Sequence, residues 1–380
     1  MNLSPNNDAF PENVEEPEGI DNSQSEGWGS DYPLDSVFVR TETRTIQEVV
    51  KRIVAKRFQL DPDYQRAFVW QVDKQSRLIE SCVMRIPLPV FYVAEAEDGR
   101  IAVVDGLQRL TTFSRYLADE FALSFAPVED QPAHPLDGKK FSKLPLQLRE
   151  RIEDTQLTLY ILDSKAPERA KLDIFDRVNG GVPLTRQQMR NCLFNGAATA
   201  WLRDAASSPE FLAASGKSLQ SKSMRDREAI NRFCAFYLLG EQNYTSGDMD
   251  AFLAHTLSDM NKDKVDLENL HKKFIHSMNA NKYLFESHAF RKSLVHLNNS
   301  AGRSVLNIAL FDVCSVLFAD IDTKTIKANA DLFRQGFKAL IEDEHEDGDF
   351  NHSISYSTNS TRQVKTRFRL ARELVANILP

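Results

Sequence analysis

Asp105-Gly106-Leu107-Gln108-Arg109 stand where an apolar strand signal, Ile101 to Val104, gives way at once to an amphipathic helix pattern. A helix N-terminus presents backbone N–H groups without intrahelical acceptors and a partial positive charge, so it attracts anions, phosphates above all. Glycine at the turn lets the backbone approach a ligand closely, and an arginine one turn into the helix adds a cation. The same pentapeptide has a plainer reading, in which Asp105 caps the helix, Gly106 eases a tight turn, and Gln108 and Arg109 face solvent. Taken alone, it leaves both open.

The elements that must hold this junction are legible on either side of it. Thr45 and Glu48 have capping-box spacing ahead of Ile46, Val49, Val50, Ile53 and Val54, which predicts a helix with those residues on one face. A second helix is expected from about Asp73, presenting Leu78, Ile79, Cys82 and Val83 before Ile86-Pro87-Leu88-Pro89 stops it. Val90 to Ala94 and Ile101 to Val104, around Glu97-Asp98-Gly99-Arg100, read as a hairpin. The helix after the junction carries a core-facing stripe of Leu110, Phe113 and Leu117. A polar insert with Pro132, Pro135 and Gly138 reads as a surface loop, and Gln156 to Leu162 as a strand. A helix from about Glu168 should end at Val178-Asn179-Gly180-Gly181-Val182-Pro183, with another starting at Thr185. The aromatic and polar stretch 61–70 has no clear period and reads as an ordered loop able to line a pocket.

A chain of 380 residues favours two packed units. Residues 1–32 are poor in apolar side chains and rich in acids, and read as a disordered acidic tail. The net charge of -7 comes from this tail, because residues 1–30 hold seven acids and no Lys or Arg. The body is therefore neutral and could carry a basic groove that the whole-chain charge conceals. From about residue 190 the apolar period is helical, with clusters around Ile230 to Leu238 and Val305 to Val313. The last helix, Thr361 to Leu379, should turn Val364, Phe368, Ala371 and Val375 inward and display Arg362, Lys365, Arg369 and Arg372 as a cationic stripe, either a solvated face or a docking surface for nucleic acid or an acidic partner.

No stretch is apolar enough to cross a bilayer, and the start lacks a secretory pattern, so a cytoplasmic setting is expected. Cys82, Cys192, Cys234 and Cys314 are widely separated and read as reduced core thiols rather than a metal site. His345 and His352 flank the acidic run 342–349, but no strand-turn-helix pattern surrounds them, so no metal nuclease site is assigned.

QRAFVW at 65–70, IPLP at 86–89, DGLQRLTTF at 105–113 and RVNGGVPLT at 177–185 together resemble the GmrSD-type restriction endonuclease N-terminal domain family. Weaker similarity, including Arg225-Asp226-Arg227-Glu228, extends further. The resemblance implies an α+β chain: a small mixed domain, 33–189, related to ParB and sulfiredoxin nucleotide-binding domains, followed by a mainly α-helical domain, 190–380. It also implies that the first domain binds and hydrolyses an NTP with Mg2+, in bacterial systems that restrict phage or modified DNA. Two positions depart from the family pattern: Leu107 where a second glutamine is common, and Gln188 where glutamate is common. A nuclease domain of the HNH type, which full restriction proteins of this kind carry on the same or a partner chain, has no match here.

On that resemblance, Gly106 and the helix amides contact phosphate, Arg109 and Arg66 neutralise it, Gln108 positions a water or the nucleotide, and Asp105 holds a water or, through it, Mg2+. Asp105, Gln108 and Arg109 are then the catalytic candidates. Thr111, Asn179, Gly180 and Gly181 complete the nucleotide-binding set, although a plain helix C-cap explains the last three equally well. The expected role is a nucleotide-dependent sensor or regulatory subunit acting with a separately encoded nuclease or toxin. The alternatives are a non-enzymatic partner that restrains such a nuclease, and a ParB-like DNA-binding or nicking protein.

Overall fold

The computed structural model describes residues 16–19, 39–60, 70–96, 98–127, 132–163, 166, 174, 185–296, 302–343 and 349–379. The chain divides into a unit of residues 25–195 and a unit of residues 1–24 with 196–380. The first is mixed α and β and the second is mainly helical, as the sequence predicts.

Five strands build the first unit: β1 (Val39–Thr45), β2 (Phe58–Gln59), β3 (Phe91–Glu95), β4 (Ile101–Asp105) and β5 (Gln156–Leu162), in the order β1-β5-β3-β4-β2. The hairpin is real: β3 and β4 pair antiparallel, and Gly99 at φ +76° takes the left-handed turn position that a side chain would resist. β5 runs parallel to β3 with Phe91 opposite Leu159, and antiparallel to β1 with Thr45 opposite Gln156. These registers bring the start of β3, the end of β4 and the start of β5 to one end of the sheet.

Helices α1 (Ile46–Val54), α2 (Val72–Val83), α3 (Leu107–Leu117) and α4 (Leu146–Glu153) share one core with Phe91, Val93, Ile101, Val103, Leu157, Leu159 and Ile161. Thr45 caps α1 by accepting from the Glu48 amide at 3.2 Å. Ile46 and Val49 are buried, but Val54 is 75% exposed. At 3.6 residues per turn Val54 lies about 80° around the helix from Ile46, off the stripe that meets the core. α2 buries Leu78, Ile79 and Cys82, and α3 buries Leu110 and Phe113. The two-residue β2 and the helix α4 go unread in the sequence. β2 is too short to show a period, and α4 turns only Ile152 fully inward. The expected helix from Glu168 lies outside the described residues. α5 (Arg186–Leu193) starts at Thr185 as predicted and packs against β4.

The helical unit contains α6 (Ala197–Ala206), α7 (Pro209–Ser215), α8 (Arg225–Leu238), α9 (Met249–Asn261) and α10 (Leu267–Phe285). It continues with α11 (Ile308–Leu317), α12 (Thr323–Ala328), α13 (Ala330–Glu342), α14 (Phe350–Ser355) and α15 (Thr361–Ile378). Its core is aromatic: Phe233 lies 5.1 Å from Phe274, and Phe236 lies 5.1 Å from Phe368, ring centre to ring centre. Part of the acidic N-terminal segment belongs to this unit. The Glu18 amide donates to Leu306 O at 2.8 Å, and the Ile308 amide donates to Glu18 O at 2.9 Å, a short parallel bridge. Among the described residues no helix is long and apolar enough to cross a membrane.

All four cysteines are buried, and none forms a disulfide. Burial pushes the Cys82 thiol up to about 12, against weaker hydrogen-bond effects from Thr155 and its own backbone, and burial raises Cys234 and Cys314 as well. The reactive species is the thiolate, so these groups are inert at neutral pH. Iodoacetamide at pH 8 should leave the native chain unmodified by mass spectrometry and label all four cysteines once urea unfolds it; rapid native labelling of Cys82 would contradict its place in the core. Phe113→Ala should cost about 3–5 kcal/mol of stability, read as a lower urea midpoint.

Candidate phosphate-binding junction

The turn from β4 into α3 is set by one residue. Gly106 has φ +102°, and a Cβ built on it would lie 2.3 Å from Phe91 Cδ1. Both the left-handed backbone and the Phe91 ring exclude a side chain. Gly106 is also the N-cap of α3, so the cap position itself contributes no side chain to the first-turn amides, which suits that helix end to an anion.

Arg109 lies one turn in, with its side chain 12% exposed. Its Nη1 donates to Pro89 O at 2.5 Å, and its Nη2 donates to Val90 O at 3.1 Å and to Asp105 Oδ2 at 2.9 Å. The guanidinium lies 4.2 Å from the Phe91 ring centre. Burial lowers the Arg109 pKa, and Asp105 opposes that shift. Arg109 therefore does not face solvent, as the plainer reading of the pentapeptide has it. It clamps the IPLP segment onto the start of α3. Asp105 is more open, with its side chain 41% exposed. Gln108 Oε1 accepts from the Trp70 amide at 3.4 Å, which ties the end of the stretch 61–70 to α3. Thr111 is half-buried on α3.

Asp105, Gly106, Gln108, Arg109 and Thr111 thus share one helix start. Arg66, Asn179, Gly180 and Gly181 lie outside the described residues. Arg362, Lys365, Arg369 and Arg372 belong to the helical unit, where they lie along α15. Two of these four are paired within the unit: Arg369 with Glu373 at 2.9 Å, and Arg372 with Glu241 at 2.9 Å. Val364, Phe368 and Ala371 face inward as expected, while Val375 is half-buried.

The sequence reading misses two sets of residues around the junction. Phe91 and the carbonyls of Pro89 and Val90, which seat Gly106 and Arg109, carry no signal as a strand residue and two backbone groups. On α5, Gln187, Arg190 and Asn191 are at most 1% exposed. Arg190 Nε donates to Gln187 Oε1 at 3.0 Å, and Gln187 Nε2 donates to Asn191 Oδ1 at 2.8 Å. Their signal is a run of polar residues where a helix packs against a buried strand. Gln188 completes a capping box: its Oε1 accepts from the Thr185 amide at 2.7 Å, and its own amide donates to Thr185 Oγ1 at 3.2 Å. An amide oxygen does here what a glutamate oxygen would do, so this departure keeps the helix start.

A cavity of about 490 Å³ opens at the same end of the sheet, lined by Arg85 to Leu88, Gln147, Glu150, Arg151 and Asp154 to Gln156. It does not include the junction residues. Leu88 on its wall immediately precedes Pro89, whose carbonyl Arg109 holds. Among the described residues no group of three or more His, Cys, Asp or Glu is arranged to hold a metal ion.

Residues 46–195 match the family described as GmrSD restriction endonuclease, N-terminal domain. The matched segment holds all of the sheet except β1, together with the whole β4–α3 junction. No curated protein and no solved structure matches the chain.

Gly106→Ala should destabilise the fold by about 2–4 kcal/mol through left-handed strain and overlap with Phe91. Gly106→Ala combined with Phe91→Leu should recover only part of that loss, because the backbone strain remains. Urea denaturation of both variants measures the two contributions, and a single substitution with no effect would contradict the geometry of the turn.

Proposed function

We propose, from the premise that residues 46–195 form a GmrSD-type N-terminal domain, that this chain is a nucleotide-binding and NTP-hydrolysing sensor or regulatory subunit of a bacterial restriction or phage-defence system. The observation that carries the reading is the uncapped start of α3 behind Gly106, with Asp105 and Arg109 flanking it. The match to a restriction-endonuclease domain supports the biological setting.

In this reading the first-turn amides of α3 bind a phosphate, and Arg109 supplies positive charge beside them. Asp105 orients a water. Phosphoryl transfer requires positioning and charge neutralisation more than covalent chemistry, so a short set of groups suffices. Asp105 offers a single open carboxylate, which fits Mg2+ held chiefly by phosphate oxygens; the ion would neutralise charge developing on the phosphates. The catalytic candidates remain Asp105, Gln108 and Arg109.

One observation favours a switch over a fast hydrolase. Arg109 already has three partners, so a phosphate must compete with Pro89 O, Val90 O and Asp105 for its donors. Ligand binding would then loosen the IPLP segment, a change that a separately encoded nuclease or toxin could read. The pairing of Arg369 and Arg372 with acids leaves the DNA-binding alternative with a smaller cationic surface than the sequence promises.

With Mg2+, the full chain should bind at least one of the four common NTPs saturably. Turnover should fall about 100-fold in Arg109→Ala and in Asp105→Ala. Arg109→Lys, which keeps the charge but not the fork of donors, should retain binding better than Arg109→Ala. Saturable binding without turnover would select the switch reading, and no binding of any NTP at millimolar concentration would overturn both.

A further inference from the structure

The helical unit buries two guanidinium groups side by side. Arg232 is 2% exposed and Arg367 is 0% exposed. Arg232 donates to both oxygens of Asp312, at 2.8 and 2.6 Å, and Arg367 donates to Oδ2 of the same carboxylate at 2.9 Å. Glu228 acts on Arg232 through space and is itself paired with Arg225 at 3.1 Å. Among the described residues, then, two buried cations bond to one carboxylate. Burial pulls Arg367 down to about 10, opposed by Asp312 and reinforced by Arg232. Arg367 Nε finds no acceptor among the described residues. Despite burial, Asp312 and Glu228 hold Arg232 above its ordinary value, so the share of positive charge that lacks a counter-charge falls on Arg367.

The remaining donors of the pair converge on one loop. Arg232 Nη1 donates to Asn359 Oδ1 at 3.1 Å, and Arg367 Nη1 donates to Thr358 O at 2.5 Å. Both acceptor residues belong to the segment Ser355–Ser360, which, Tyr356 excepted, lines with Gly19 and Gly247 an open cavity of about 410 Å³. Because Arg232 takes the oxygen of Asn359, the amide nitrogen with its two N–H donors is left for another acceptor. Of the hydroxyl groups in the lining, Ser355 donates to Asn351 O at 2.7 Å and Thr358 to Gly19 O at 3.5 Å, so Ser357 and Ser360 supply the hydroxyl donors for a ligand; none of the lining residues is acidic. Lys292 stands beside the loop and donates to Ser355 Oγ at 2.9 Å. An anion from the chain itself is already present: Glu18 Oε1 accepts from Lys292 Nζ at 2.5 Å.

We propose that the loop Ser355–Ser360, together with Lys292, binds a phosphate group carried by a nucleotide or a nucleic-acid backbone, and that Glu18 competes with it for Lys292. A phosphate offers several acceptor oxygens to the hydroxyl and amide donors and places negative charge over the Arg232–Arg367 pair, which a single carboxylate at the rim does only in part. The site lies within the helical unit and does not depend on the β4–α3 junction.

The test is calorimetric titration of the full chain with inorganic phosphate. Lys292→Gln should weaken binding about 10-fold, Ser357→Ala about 3-fold, and Glu18→Gln should tighten it several-fold, as expected for single charge-assisted or neutral hydrogen bonds. Phosphate held at the junction would not respond to Lys292→Gln or Glu18→Gln, because both residues belong to the helical unit, and this separates the two sites. Thermal melts of each variant check folding, and Glu18→Gln keeps the proposal testable even where another variant unfolds, because a gain of affinity cannot come from damage. Competition by a nucleoside monophosphate assigns the phosphate to a nucleotide. Competition by an oligonucleotide lacking terminal phosphates assigns it to a nucleic-acid backbone. Absence of saturable phosphate binding, or affinities that agree within twofold across wild type, Lys292→Gln and Glu18→Gln, would overturn the proposal.

Discussion

The contact between Gly106 and the ring of Phe91 fixes how the sheet unit is assembled around its candidate site. The last residue of β4 must turn into α3 directly against a residue of the neighbouring strand, and only a backbone without Cβ passes through that space with φ +102°. Arg109 then covers the Phe91 ring and reaches the carbonyls of Pro89 and Val90. The entry to β3, the exit from β4 and the first turn of α3 become one packed object. Because glycine is the cap, the cap residue itself does not consume the helix amides. The steric demand and the anion-binding capacity have the same cause.

This arrangement gives Arg109 two duties. It tethers the IPLP segment, and it places a cation beside the helix start. A guanidinium has five donors in a rigid fork, so it can serve carbonyls and a carboxylate together, whereas an ammonium would serve them less well. Asp105 keeps Arg109 charged in a place where burial disfavours the charge. A ligand that drew on this cation would also draw on the contacts that hold the loop before β3.

The helical unit solves a similar problem by different means. Its aromatic core encloses Arg232, Asp312 and Arg367, charged groups that cost free energy to bury unless they are paired with one another. Asp312 on α11 joins Arg232 on α8 to Arg367 on α15, and the same guanidinium groups reach the loop before α15. Arg367 was legible in principle: Val364, Arg367, Phe368 and Ala371 share the inward face of α15 at helical spacing. The cationic stripe at 362, 365, 369 and 372 draws attention away from it. Charge type alone does not tell whether an arginine faces solvent or a buried carboxylate that lies far away in sequence.

Local physics settled much of this protein before any tertiary contact. The capping residue Thr45, the glycine turn at Gly99, the strand at Gln156–Leu162, the helix start at Thr185 and the apolar stripes of α2 and α3 follow from short-range periodicity and turn chemistry, and the structure keeps all of them. The strand-to-helix junction at Asp105–Arg109 was legible for the same reason. Tertiary structure alone decided that Phe91 is what forbids a side chain at Gly106, that Arg109 turns inward to carbonyls twenty residues away, and that β1 pairs with β5 across more than a hundred residues of chain. It also decided that Glu18 of an acidic segment lies beside Lys292 and that two arginines share Asp312. These are long-range pairings whose energies depend on burial and mutual geometry, and neither quantity is written in the spacing of residues along a chain.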